Sequence, residues 1–440
     1  MPHSNNTSPQ RGAIGTLRAD QRRKKLREIE RRRRIHLVTA LVCTVVAFTA
    51  SLNLDMPDAI PMHTSLLTGQ MWLNELLNGH PLRFRRQFGM AKHVFHRLSF
   101  ELQAFSGLVS TKFVSADEKL ATFLHFARTG CSTRVLQERF QRSAETIHTS
   151  IYTILNILVG PFYKKHLHLP FDETPPEIKS NSKLYPYFRN CRGAIDGSHF
   201  HAWVLSENMA RYRNRKGFIG QNVLAACNFA LLFVYILSGW EGSASDSHIF
   251  QYARDHDFAV PPGKYYLADA GFPLCDVLMT PYRGIRYHLK EWGSVRQRPK
   301  NREELFNLRH SQARNVVERI FGITKRRWGL FTSAPEYPIE AQAKMIPAIG
   351  ALHNFVRIHD ASEDAADLGP DSDVPGPVRR ENLMQDFIQT EPREISPEEL
   401  GMEISAEERA RATQRRDQIA QRMWDDYIAL LAERGQVVNA

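Results

Sequence analysis

The chain has 440 residues, a formal net charge of +11 and an apolar fraction of 42%. This length accommodates two or three globular domains, and the basic balance fits a polyanionic partner, although a merely solvated basic surface fits it as well. The five cysteines form no Cys-x-x-Cys pair and no finger spacing with histidine, which excludes a zinc finger and favours a reduced, intracellular protein.

Charge is distributed unevenly along the chain. Residues 1–34 hold 11 Lys and Arg against 3 acids, whereas residues 360–408 hold 3 against 15. We predict a disordered basic arm at 1–34, whose basic runs indicate nuclear import or non-specific nucleic-acid binding, with a solvated tail as the alternative. The segment 359–408 is rich in Pro, Gly, Ser and Asp, and is predicted to be an acidic disordered linker.

Residues 35–54 contain no Asp, Glu, Lys or Arg and follow four arginines. Twenty such residues meet the length and charge criteria for a membrane span. Because His36, Asn53 and several hydroxyl side chains interrupt the run, we favour a buried or interface helix over a membrane anchor. Alkaline carbonate extraction separates the two interpretations, since it releases a protein that no span holds.

The region 35–169 is predicted to be all-α, with core aromatic residues at helical spacing between residues 71 and 108. Within it, residues 115–158 predict three helices, capped by Ser115 with Glu118, by Ser132 and by Ser143. A short helix, a tight turn and a longer helix are typical of a helix-turn-helix unit whose last helix enters a major groove.

The exposed face predicted for that last helix is poor in positive charge, so a purely structural bundle is an equal alternative to DNA binding. Its residues are Glu145, His148, Thr149 and Tyr152.

A proline-rich segment at 170–192 is predicted to link the helical region to an α/β domain at 193–358. In that domain, the apolar run 223–237 predicts two central antiparallel strands with a turn near Asn228. Residues 409–434 predict a C-terminal amphipathic helix, for which partner docking, self-association and packing on the body are all open.

Three acids are candidates for a common site. Asp196 and Asp269 are each predicted to end a short apolar strand, because Gly or Ala-Gly follows, and Glu318 borders the apolar face of a predicted helix. Each acid alone also fits a turn or a solvated helix position. Together, two strand-end acids and one helix-borne acid fit a hard cation such as Mg²⁺, which prefers oxygen ligands.

Asp246 is a fourth acid, at a predicted strand-to-helix junction. We predict that it caps the helix, with a supporting position near the metals as the alternative. Basic residues that could hold a phosphate backbone lie between Asp269 and Glu318 and on the helix of Glu318. They are Arg296, Arg298, Arg314, Lys325 and Arg326. As a plain alternative, such basic stretches are often only solvated.

Five segments carry a resemblance to a known family: GAIDGSH (193–199), SASDSHIF (243–250), YLADAGFP (266–273), ELFNLRHS (304–311) and RNVVERIFG (314–322). In content, order and spacing they resemble the catalytic domain of PIF/Harbinger-type transposases and the nucleases derived from them. The resemblance extends over residues 193–356. It implies a ribonuclease-H-like fold with a mixed central sheet and an Asp-Asp-Glu triad.

This resemblance implies roles for individual residues. The triad falls on Asp196, Asp269 and Glu318, which would hold two Mg²⁺ or Mn²⁺ ions, one activating the nucleophile and the other stabilising the leaving 3′-oxygen. Asp246, His199 and His310 lie in the matching segments and are assigned supporting positions. The implied partners are DNA, a separate Myb-like DNA-binding protein and a second copy of the chain, and the implied location is the nucleus.

We therefore predict a DNA endonuclease or transposase that cuts, and in one mode joins, strands at element ends. The alternatives are a domesticated DNA-binding protein without cleavage, a membrane-tethered variant, and a ribonuclease-H-like phosphodiesterase that acts on RNA.

Overall fold

The computed structural model describes residues 10–54, 60–169, 172–287, 298–360 and 404–434, and the chain divides into two units, Met1–Thr64 and Ser65–Ala440. A single long helix, α1 (Gln10–Leu54), dominates the first unit. It runs through most of the segment predicted as a disordered arm, without a break at residue 34. The side chains of residues 22–51 are exposed, so the prediction of a buried helix is wrong for residues 35–51.

Residues Arg22–Ser51 of α1 are long and apolar enough to cross a membrane. The core helix of a soluble protein or a signal sequence meets the same criteria of length and composition. The hydroxyls of Thr44, Thr49 and Ser51 donate to carbonyls of their own helix and need no outside partner. An interface helix and an anchor both remain predictions.

The second unit begins with a layer of helices. These are α2 (Gly69–Asn78), α3 (Pro81–Phe88), α4 (Lys92–Phe105), α5 (Ala116–Thr129), α6 (Thr133–Phe140), α7 (Ala144–Val159), α8 (Pro161–His166) and α9 (Pro176–Lys179). The predicted caps Ser115, Ser132 and Ser143 are confirmed as the residues that precede α5, α6 and α7. In α5 and α7 the serine hydroxyl accepts a backbone N–H of the first turn, which a helix start otherwise leaves unpaired.

The face of α7 that was expected to enter a major groove is partly covered. The rings of His148 and Tyr152 lie 5.4 Å and 6.0 Å from the ring of Tyr337. This packing favours the structural alternative for the helix-turn-helix unit.

The proline-rich segment predicted as a linker is packed rather than free. Ile178 and Phe188 are fully buried in the same hydrophobic core that contains residues of α2–α8 and of the sheet. The helical region and the α/β region therefore share one core, with no boundary between two cores at 170–192.

A five-stranded sheet follows, formed by β1 (Cys191–His201), β2 (Gly220–Cys227), β3 (Phe233–Glu241), β4 (Tyr265–Leu267) and β5 (Leu278–Met279). A short helix, α10 (Met209–Tyr212), lies in the β1–β2 connection. The strand order is β3-β2-β1-β4-β5. Strands β2 and β3 pair antiparallel, as the run 223–237 predicted, and β1 also pairs antiparallel to β2, whereas β4 pairs parallel to both β1 and β5. The sheet is thus mixed, and the fold is α/β.

Helices cover both faces of this sheet. One face packs on α11 (Asp246–His256), and the other on α12 (Arg302–Arg327) and α13 (Ile339–His359). The last described helix, α14 (Ala406–Glu433), confirms the predicted C-terminal helix. It packs on the body, where Tyr282 donates to Asp417 over 2.6 Å and the guanidinium of Arg415 lies 4.7 Å above the ring of Tyr265. Residues 361–403, most of the predicted acidic linker, lie outside the described residues.

Candidate active site

Asp196 lies in the middle of β1 rather than at its end, where it was predicted. The strand continues through Gly197 to His201, because β2 pairs with β1 along the whole segment Ala194–His201. One carboxylate oxygen of Asp196, Oδ1, accepts the N–H of Gly197 over 3.0 Å. The other oxygen, Oδ2, points towards α12 and accepts from Arg314.

Asp269 follows the end of β4 by two residues, as predicted. Ala194 of β1 pairs with Leu267 of β4, so Asp196 and Asp269 each lie two residues beyond a paired position on neighbouring parallel strands. The N–H of Gly271 donates to Asp269 Oδ1 over 2.8 Å, which holds this carboxylate at the strand end.

Glu318 lies on α12, and the predicted apolar face beside it is confirmed, with Val317, Ile320 and Phe321 buried. Arg314, one turn earlier, connects the helix to the sheet. Its Nη1 donates to Asp196 Oδ2 over 2.9 Å and its Nη2 donates to Glu318 Oε1. One guanidinium group therefore joins two of the three candidate acids.

The electrostatics of Asp196 reflect this crowding. Burial raises the pKa of Asp196 to about 8, the positive charge of Arg314 opposes that rise, and the negative charges of Asp269, Asp246 and Glu318 add to it. Desolvation and nearby like charges both disfavour an ionised carboxylate. Four acids thus influence one another around a single bonded arginine.

Asp246 approaches from the other face of the sheet. Gly197 points towards it so closely that a Cβ at residue 197 would overlap the Asp246 carboxyl group. Asn222 Nδ2 donates to Asp246 Oδ1 over 2.7 Å. Burial and the charge of Asp269 raise the pKa of Asp246 to about 6, against the Asn222 bond and the positive charge of Arg215, which both oppose the rise.

The prediction that Asp246 caps α11 is wrong. The capping residue is Ser245, whose side chain accepts the N–H of His248, and Asp246 is the first helical residue. Its carboxylate turns to Asn222 instead. Ser245 already caps this helix start, and the Asn222 amide donates to the Asp246 carboxylate.

The acidic side chains at and around Asp196 are chemically suited to a hard divalent cation. Their ligand atoms are carboxylate oxygens, and the side chains of Asp196 and Glu318 remain 19% and 34% exposed, so an ion can reach them. In the described part of the chain, no group of three or more His, Cys, Asp and Glu side chains converges as a metal site. Arg314 bonds carboxylate oxygens of two of these acids.

The two histidines predicted to support the site lie elsewhere. His310 is fully buried, and its Nε2 bonds the carbonyl of Met279 over 2.8 Å, so it packs α12 on β5. His199 is three residues from Asp196 along β1 and therefore projects from the opposite face of the strand, with its ring 6.1 Å from that of Phe218.

Two of the five predicted DNA-binding residues are engaged inside the protein. Arg314 is 10% exposed and bonded to carboxylates. Lys325 Nζ donates to Ser198 Oγ over 3.0 Å and to the His199 carbonyl over 3.1 Å. Both bond acceptors on β1, and a role of either residue in DNA binding stays a prediction.

The other three predicted DNA-binding residues are Arg298, Arg326 and Arg296. Arg298 is exposed and Arg326 is half-buried near the end of α12. Arg296 lies outside the described residues.

Sequence reasoning missed Asn222, Tyr287 and the true position of Arg314. Tyr287 accepts from Arg314 Nε over 2.7 Å, so the guanidinium is held on three sides. The four-residue spacing of Arg314 and Glu318 was a usable signal for an ion pair on one helix face. Nothing local in the sequence signals that Asn222 binds Asp246, because the two residues lie on different elements.

This acidic cluster lies in a region that resembles a described class of enzymes. Residues 195–354 match the family described as DDE superfamily endonuclease, and residues 64–160 match a domain of unknown function (DUF8040). Asp196, Asp246, Asp269 and Glu318 all fall within the endonuclease match. The mixed α/β sheet with its covering helices is consistent with such a domain.

Among curated proteins, the chain is similar to "Protein ALP1-like" of Arabidopsis thaliana, with 23% identity over 266 residues. The match covers 55% of this chain and 61% of the plant protein, so the chain spans about three fifths of the length of that relative. No solved structure matches the chain.

Proposed function

We propose that the chain is a metal-dependent DNA endonuclease or transposase of the Harbinger type, with a ribonuclease-H-like domain and the triad Asp196, Asp269 and Glu318. The observation that carries the proposal is the surrounding of Asp196. The negative charges of three further acids act on its carboxylate, and one arginine donates a hydrogen bond to it. The carboxylate still stays accessible from solvent. Excess negative charge in a partly dry site is costly unless a cation balances it.

Asp196, Asp269 and Glu318 would hold Mg²⁺ or Mn²⁺. A bound ion of this kind supplies Lewis-acid chemistry that lowers the pKa of a nucleophilic water or hydroxyl and stabilises a leaving oxygen. The chain itself orients the ligands. The N–H groups of Gly197 and Gly271 each fix one oxygen of a neighbouring Asp carboxylate, which sets the direction of the remaining oxygen.

DNA as the substrate and the nucleus as the location are part of this proposal. They rest on the match to DDE endonucleases and on the two basic runs near the N-terminus. We further propose that a Myb-like partner or a second copy of the chain recognises the DNA sequence. The partial covering of His148 and Tyr152 on α7 by Tyr337 supports a separate recognition protein.

The test is nicking of supercoiled plasmid DNA by the full chain in Mg²⁺, in Mn²⁺ and in EDTA. We expect metal-dependent nicking that Glu318→Gln lowers by about 100-fold or more, because loss of even an outer-shell partner of a metal costs about 10–100-fold. The matched control is Glu303→Gln on the same helix, where the acid pairs with Arg302 away from the cluster. It should retain wild-type nicking.

An equal loss in both variants would contradict the role of Glu318. An RNA duplex, tested beside the plasmid, distinguishes a DNA nuclease from a phosphodiesterase that acts on RNA.

A DNA-binding protein without cleavage is the second candidate. It is favoured by one observation: the guanidinium of Arg314 bonds two of the acids that a metal would need. In that case, plasmid binding would persist, nicking would not exceed the EDTA background, and Asp269→Asn would leave binding unchanged.

A further inference from the structure

Arg314 is held from three sides in a nearly closed position. It donates to Asp196 over 2.9 Å, to Tyr287 over 2.7 Å and to Glu318. Its side chain is 10% exposed, whereas that of Glu318 is 34% exposed. A planar guanidinium suits this arrangement, since its donors form a rigid fork that matches carboxylate oxygens.

The charges around Arg314 do not balance. It bonds two carboxylates and lies in the field of a third, Asp269, while Asp196 also feels Asp246. The guanidinium thus has three acids in its field, two of them bonded, while Arg283 acts on Asp269 and Arg215 acts on Asp246. An ordinary structural ion pair has no need of the additional acids.

From this geometry we infer that Arg314 is a positioning residue that stands in for the cation. It holds Asp196 and Glu318 together in the metal-free protein and gives up these carboxylates when a divalent metal binds. The inference rests on the proposed function, because it assumes that the same acids take a metal.

The position of Arg314 explains how the acids tolerate one another before metal arrives. The guanidinium satisfies one oxygen of Asp196 and one of Glu318, so α12 and β1 stay in contact at this point. A divalent ion at the same oxygens would lie beside the guanidinium, and like charges at that distance repel. Arg314 and the metal therefore compete.

The test measures metal binding and thermal stability in the full-length chain, independently of nicking. Arg314→Met removes the charge and keeps most of the side-chain volume, while Arg314→Lys keeps the charge and removes the fork. Arg319→Met is the matched control, because Arg319 is exposed on the same helix, next to Glu318. Unfolding is followed in EDTA and in a Mn²⁺ series, and Mn²⁺ affinity is measured by electron paramagnetic resonance.

We expect Arg314→Met to lower the Tm in EDTA by about 5 °C, because an acid cluster loses its buried counter-charge. We expect the same variant to bind Mn²⁺ about 10-fold more tightly, since a competing charge has gone. Arg319→Met should change neither quantity. Weaker or equal Mn²⁺ affinity in Arg314→Met, or an unchanged Tm in EDTA, would overturn the inference.

If Arg314→Met does not fold, Arg314→Lys decides, because an ammonium group lacks the planar fork that bonds both carboxylates and so leaves one of them to the ion. Its Mn²⁺-induced rise in Tm must exceed that of the wild type, and an equal rise overturns the inference. Wild-type protein that binds no Mn²⁺ removes the proposed function and this inference together. Wild-type protein that binds Mn²⁺ and nicks DNA, with Arg314 variants that bind Mn²⁺ like wild type, removes this inference alone.

Discussion

Arg314 and Arg254 both bond carboxylates that the fold has largely withdrawn from water, but the charge around the two arginines differs. Arg254 donates twice to Glu408, over 3.0 Å and 2.8 Å, and the N–H of Asp276 donates to the same carboxylate over 2.9 Å. One bonded acid meets one bonded base, with Asp255 as a further acid in the field of Arg254, and both oxygens of Glu408 have donors. The pair fastens α14 to the end of α11.

Arg314, by contrast, bonds two carboxylates and has a third, that of Asp269, in its field. Burial alone would lower the pKa of Arg314, but Tyr287, Asp196, Glu318 and Asp269 raise it well above its ordinary value. A balanced buried pair contributes to the position of an element, whereas an unbalanced cluster is a stability cost that a protein retains where the charge is used. This contrast separates a structural contact from a candidate site.

The largest loss of stability is expected from a substitution at Gly197 of β1, which lies against Asp246. Gly197→Ala places a Cβ on the Asp246 carboxyl group, which Asn222 holds in place. We expect a loss of about 3 kcal/mol or more in the free energy of unfolding, measured in urea. Gly322→Ala is the control, because a Cβ there meets only Arg326 Nη1 at 3.7 Å and alanine favours a helix.

The double variant Gly197→Ala with Asp246→Ala removes the overlapping carboxyl group and should regain much of the loss. If Gly197→Ala is as stable as Gly322→Ala, residue 197 and the Asp246 carboxyl group are not in close contact. The imbalance around Arg314 would then be confined to one side of the sheet.

Local rules predicted the parts of the fold that depend on neighbouring residues. Residues close together in the sequence determine these parts. They are the serine caps of α5 to α7, the β2–β3 turn and the helical position of Glu318. Long-range contacts decided the rest. Asp196 lies in mid-strand because β2 pairs past Gly197, and α1 exposes an apolar run whose sequence suits a core equally well.

The candidate site shows the same division. The residues 196, 269 and 318 could be singled out from sequence, and the register of β1 with β4 places the first two at equal level. Their arginine was assigned to DNA because spacing on a helix does not reveal which neighbour covers it. Burial under a sheet is a property of the tertiary structure.

An intermediate effect should follow from breaking the balanced pair. Arg254→Met leaves the Glu408 carboxylate without its base, and we expect a loss of about 2 kcal/mol, less than for a fully buried pair because Arg254 is 27% exposed. The double variant with Glu408→Gln removes both charges and still accepts from the Asp276 N–H, so it should recover most of the stability.

Nicking by the folded fraction should stay at the wild-type level in both variants, which urea unfolding and plasmid assays check together. A fall in nicking comparable to that of Glu318→Gln would assign the Arg254 pair to the site and erase the contrast with Arg314.

The last effect concerns pH and lies one turn before Arg314 on the same helix. Burial, together with the positive charge of Arg314, lowers the pKa of His310 from its usual 6.5 to about 3. The folded protein therefore favours neutral His310 more than the unfolded chain does. The contribution of His310 to the free energy of unfolding is complete above pH 6.5. It falls as the pH drops towards 3, by up to about 1.4 kcal/mol per pH unit.

His310→Gln removes this titration, so its free energy of unfolding should decline less steeply than that of the wild type between pH 6.5 and pH 4.5 in urea experiments. The control is His96→Gln, since His96 is exposed on α4. Its pH profile should parallel the wild type. Identical slopes for all three proteins would mean that His310 takes up its proton without cost, and that a second positive charge is tolerated one turn from Arg314. The acid cluster would then have more capacity for cations than one guanidinium uses.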